Sequence, residues 1–108
     1  MKKMKRKIIS EIRTSIWEEY PDIDLLFMDP VDYDKAILGV IEGKAHVPAV
    51  AYDLDKVIKI NMDMGMDRDG AVEYYEYNQV DAYKGPHTPV FINIQKVKNK
   101  NKSKRRVK

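Results

Sequence analysis

Residues 53–83 read DLDKVIKINMDMGMDRDGAVEYYEYNQVDAY, and this stretch decides the fold. Leu54, Val57, Ile58 and Met62 recur at helical spacing behind Asp53, whose short carboxylate suits an N-cap, and Gly65 supplies the left-handed residue on which a helix ends. The spacing predicts a helix of about three turns. Asp67 then heads a second helix, with Ala71, Val72 and Tyr75 facing inward, that is expected to run to about Tyr83, where Gly85 and Pro86 stop it. Two short helices in succession, each apolar on one side only, need a third surface to cover.

Strands supply that surface. Residues 88–94 place Val90, Ile92 and Ile94 on one face of a strand and Phe91 on the other. Upstream, residues 36–41 and 47–52 are short apolar runs joined by a Gly-containing loop over 42–46, which reads as two strands. A helix is the rival for the first run, capped by Asp29, started by Pro30 and closed by Gly43. Pro48 cannot donate to a ladder, so the second run is expected to be an edge strand or to start late. Residues 21–34 mix Leu25, Leu26, Phe27 and Met28 with five Asp and two Pro, which predicts an irregular connection or short helical turn whose apolar side chains cover the core edge. Before it, Ile8, Ile12 and Ile16, with Ile9 and Trp17, mark one stripe of a helix over 5–20 that Pro21 ends. The expected fold class is α+β: a small, mostly antiparallel sheet of about three strands packed on the 53–83 helix pair, with an N-terminal helix, in one domain over residues 1–95.

The charges are segregated. The chain has 108 residues and a net charge of +3, yet residues 1–8 hold five Lys/Arg and 96–108 hold eight, neither with any acid. The seven Lys/Arg left in residues 9–95 face all 17 acids, so the body carries −10. Residues 96–108 bury too little apolar surface to offset the ordering entropy and are expected to be a disordered basic tail. No apolar run approaches the roughly 20 residues that cross a bilayer. The basic start lacks the apolar block and cleavage site of a signal peptide, so a cytoplasmic protein with no membrane partner is expected. The lack of cysteine excludes disulfides and thiol chemistry.

Motifs for chemistry are sparse. His46, His87 and the hydroxyls Ser10, Thr14, Ser15, Thr88 and Ser103 form no nucleophile pattern, the five Gly never cluster into a phosphate loop, and Asp22/Asp24 and Asp53/Asp55 read as loop and cap residues. No enzyme activity, cofactor or metal is expected. The turn at 65–67 resembles a helix-turn-helix, but Asp67, Asp69, Glu73, Glu76 and Asp81 against Arg68 alone would repel phosphate. Tyr74, Tyr75, Tyr77 and Tyr83 cannot all face one core, so one or two are expected in solvent beside those acids.

Tyr52, Asp53, Gly65, Met66, Ala71, Glu73, Tyr74, Asn78, Ala82, Tyr83, Gly85, Thr88 and Pro89 together resemble the shared core of a group of small proteins of tailed bacteriophages and prophages, over residues 52–93. Gly70 and Asp81 depart from that pattern, which tends to have an acid and a glycine there. The resemblance implies a phage origin and brings no catalytic residue, since the group has no assigned biochemistry. Asn78, Tyr83, Gly85 and Thr88 are expected to form a polar corner between helix and last strand.

These readings converge on a non-enzymatic accessory protein, in host takeover or anti-defence, that binds a host or phage protein through Asp69, Glu73, Glu76, Tyr77 and Asp81. The alternative is a nucleic-acid-associated protein held by its basic ends, the tail through Lys98, Lys100, Lys102, Lys104, Arg105, Arg106 and Lys108. Asp67, Asp69, Gly70 and Glu76 also mimic part of a calcium loop, but Gly65 stands where the first ligand belongs. Calcium titrated calorimetrically at low ionic strength is therefore expected to bind no tighter than about millimolar. A micromolar constant would contradict this reading.

Overall fold

The computed structural model describes residues 10–43, 46–80, 82 and 85–96, the side chain of His46 excepted. It is an α+β fold, as the sequence predicts: helix α1 (Glu11–Glu19), a 3-10 turn (Val31–Ala36), strands β1 (Ile37–Gly43) and β2 (His46–Asp53), helices α2 (Leu54–Asp63) and α3 (Arg68–Tyr74), a π-helical turn (Tyr75–Gln79), and strand β3 (Val90–Ile92). The sheet order is β1-β2-β3, with β1 antiparallel and β3 parallel to β2. A parallel neighbour demands a crossover, and α2 and α3 provide it.

Residues 36–41 belong to a strand, and the helical alternative is excluded by their pairing with β2. Ile37 and Val40 both pack on the core although they lie three apart, a spacing that alternates faces in a regular strand. A register shift between Ile37 and Gly39 restores them to one side, and Gly39 carries the φ of +150° that this bulge requires. Pro48 does not mark an edge strand, because β2 is central. It is tolerated because β3 pairs only with Ala51, Tyr52 and Asp53, and because Pro48 falls at the second register shift, between Ile41 and Gly43 of β1.

The helix pair follows its caps. Asp53 accepts from the Asp55 amide at 3.1 Å, Asp67 from the Gly70 amide at 2.8 Å, and Gly65 turns the chain with φ +110°. The second helix is shorter than expected. Its α-register stops at Tyr74, and the wider turn, closed by the Val80 amide on the Tyr75 carbonyl at 2.9 Å, carries Gln79 inward and leaves Asn78 in solvent. β3 is likewise confined to Val90–Ile92, with Phe91 on the covered side against Tyr52 and Tyr75, while Ile92 and Ile94 are exposed.

At the N-terminus, helix α1 starts later than residue 5, because Ser10 adopts an extended conformation and caps it by accepting from the Arg13 amide. Residues 1–9 lie outside the described residues. The inward face of α1 is Arg13, Ile16 and Tyr20, so Ile12 and Trp17 are exposed, contrary to the stripe predicted from isoleucine spacing. Arg13 sets that rotation. It forms a fork on Asp34, with Nη2 donating to Oδ1 at 2.7 Å and Nε to Oδ2 at 3.0 Å; Ser10 donates to the same Oδ2 at 2.6 Å. Asp34 is only 4 % exposed.

The core joins Ile16, Leu25, Tyr33, Ala36, Val50, Tyr52, Val57 and Ile60. On the inner face of α2 lies Asn61, wholly buried, with every amide position used: Oδ1 accepts from Tyr33 Oη at 2.5 Å and Gln79 Nε2 at 3.4 Å, and Nδ2 donates to the Ala71 carbonyl at 3.2 Å and Gln79 Oε1 at 2.9 Å. Tyr52 Oη accepts from the Met28 amide at 2.8 Å, which pins the 21–30 segment to the central strand.

Two predictions follow from these buried polar groups. Arg13→Ala strands the Asp34 carboxylate in the interior and is expected to cost about 3 kcal/mol in a urea titration, whereas Lys96→Ala, which breaks the exposed 3.3 Å pair with Asp55, is expected to leave the midpoint unchanged. The second concerns alkali. Burial pushes the Tyr52 phenol up to about 12 and raises that of Tyr33, and the hydrogen bond to Glu42 lifts Tyr20 to about 12. The unfolded chain releases these protons near pH 10 while the folded chain retains them, so stability is complete below pH 10 and falls as pH rises toward 12. In Tyr52→Phe the loss across that window should be measurably shallower in pH-dependent denaturation, after a constant penalty for the lost Met28 bond.

Candidate functional site

The outer surface of α3 and its π-turn carries Asp69, Glu73 and Glu76 at i, i+4 and i+7, one stripe of a helix. All three carboxylates are exposed, and among the described residues none has an ion-pair partner. Tyr77 stands beside them at 76 % exposure, the most exposed aromatic ring among the described residues. The structure therefore brings four of the five predicted face residues together. Asp81 lies outside the described residues, as do Lys98, Lys100, Lys102, Lys104, Arg105, Arg106 and Lys108 of the basic tail.

A shallow groove runs along this face between Met66, Gly70, Glu73 and Tyr77. Gly70 makes the dent and serves the cap as well, since a Cβ there would sit 3.0 Å from Asp67 Oδ1. Tyr74 and Asn78 form the far bank of the groove and also one wall of a deeper, half-open cleft of about 130 Å³. Phe27 and Asp29 wall that cleft from the 21–30 segment, and Phe91 walls it from β3. Groove and cleft thus flank the same two side chains, as two chambers of a trough that Tyr74 and Asn78 divide.

Of the predicted corner, Gly85 and Thr88 form a tight turn, with the Thr88 hydroxyl donating to the Gly85 carbonyl at 2.7 Å and Gly85 at φ +115°. Asn78 is exposed on the cleft wall, and Tyr83 lies outside the described residues. The buried polar network of this region is instead built by Gln79 with Asn61 and Tyr33, residues that sequence reasoning passed over. One signal was present: Asn61 stands among the apolar positions Val57, Ile58 and Ile60, where an amide needs partners.

His87 Nδ1 lies 2.7 Å from the Pro48 carbonyl and holds the turn before β3 against β2, a structural use of its imidazole. Among the described residues no group of three or more His, Asp or Glu is placed to hold a metal ion, and no helix is long and apolar enough to cross a membrane. Comparison of the chain with protein-family models, curated proteins and solved structures finds no match. The surface chemistry of α3 and its trough therefore carries the functional argument alone.

Proposed function

We propose that this is a small non-enzymatic accessory protein, of phage or prophage origin, that works in the host cytoplasm by binding a basic host or phage protein through α3. The observation that carries the reading is the stripe of Asp69, Glu73 and Glu76, exposed and without ion-pair partners among the described residues, beside the 76 % exposed ring of Tyr77. Solvated carboxylates steer a cationic partner, and a projecting tyrosine supplies amphipathic contact area at small entropic cost. Phage origin rests on the resemblance over residues 52–93. The basic ends, with thirteen Lys/Arg and no acid, support the second reading, attachment to nucleic acid.

Affinity capture from host lysate, with and without nuclease, separates the two. On the acidic-face reading the captured protein survives nuclease treatment and truncation to residues 9–94, and Glu73→Lys with Glu76→Lys weakens capture by about tenfold or more through reversed complementarity. Capture that nuclease or truncation abolishes, and that the double reversal leaves untouched, overturns the reading in favour of nucleic acid.

A further inference from the structure

The cleft at the end of the trough specifies the partner's chemistry more narrowly. At about 130 Å³ it holds several waters' worth of space but falls short of the 300 Å³ or more of ordinary small-ligand sites, a size that matches the head of a single side chain. Its walls are aromatic, with Phe27, Tyr74 and Phe91 contributing rings. Among the described residues the carboxylate lining the cleft is Asp29, and none of the lining residues is Lys or Arg. It shares Tyr74 and Asn78 with the groove that Glu73 borders. Aromatic walls within a negative rim fit a cation, and a planar, weakly hydrated one in preference to a compact ammonium.

The fold already contains one example of this recognition. The guanidinium of Arg13 lies 4.4 Å from the centroid of Phe27 while its Nη2 donates to the Met28 carbonyl at 3.3 Å, and Phe27 and Met28 are both residues of the cleft wall. Resting on the acidic-face reading above, we propose that the cleft is an anchor site for an arginine of the partner's basic segment, with the flanking basic residues of that segment lying along Glu73, Glu76 and Asp69.

The test uses the full chain and two twelve-residue peptides of identical sequence, except that every basic position is arginine in one and lysine in the other, titrated by fluorescence anisotropy. The arginine peptide is expected to bind about tenfold more tightly. Asn78→Trp, which fills the cleft from an exposed position, and Ala82→Leu, which adds bulk from another wall residue, should each bring that ratio close to one while the melting temperature holds; Asp29→Asn should lower affinity for the arginine peptide about threefold. Binding that falls with Glu73→Lys and Glu76→Lys yet shows no arginine preference would overturn the anchor and leave the acidic face standing. An arginine preference that survives both cleft-filling variants would place the anchor elsewhere and overturn it too, and failure of both peptides to bind would overturn anchor and face together.

Discussion

Tyr33 and Asp34, adjacent residues on one 3-10 turn, send their polar groups in different directions, and the two halves of the molecule hang from them. Asp34 takes the Arg13 fork and the Ser10 hydroxyl and so fixes α1, while Tyr33 donates to Asn61 and, through that amide, meets Gln79 and the Ala71 carbonyl. Both residues are buried, so neither tie is diluted by water, and leaving either unmade would strand a charged or polar group in the interior. A helical turn places neighbouring side chains about 100° apart or more, which lets one short segment face two partners. The turn is therefore a hinge pin between the α1 layer and the helix pair.

The same economy shapes the surface. Of the basic residues in the acidic body, Arg13 is consumed inside by Asp34, and Arg68, the single base of α3, makes no ion pair with the stripe among the described residues. The π-turn adds to this by carrying Gln79 into the Asn61 network and Asn78 and Tyr77 out toward the trough. Interior satisfaction and exterior chemistry are thus set by one widened turn, in keeping with the frequent use of such turns where a helix surface must be re-aimed.

Helix caps were legible in the sequence because their chemistry is local: Asp53, Asp67 and Gly65 act where they stand, and Ser10 would have been as readable had the isoleucine spacing not pointed past it. Strand identity was legible for residues 36–41 and 47–52, but their place in the sheet was not, since Pro48 argues about an edge without saying that β3 pairs with only three residues of β2. The acidic, tyrosine-bearing face was visible as a pattern of types along one helix. The trough was not, because it joins Phe27, Asn78 and Phe91 from three separate segments. The Tyr33–Asn61–Gln79 and Ser10–Arg13–Asp34 contacts span similar distances along the chain, and only the lone amide at Asn61 hinted at them.

The parallel pairing of β3 has a temporal consequence. β1 and β2 are two residues apart in sequence and their pairing closes almost no loop, whereas the pairing of β3 with β2 spans the stretch that contains the helix pair and closes a much longer one. Loop-closure entropy therefore favours the hairpin over the third strand in early assembly. Phe91 arrives with that strand, and with it the final wall of the aromatic cleft. A chain that has not docked β3 lacks that wall of the receptacle beside the acidic stripe of α3. Recognition that uses both chambers would read out completion of the fold as well as identity of the surface.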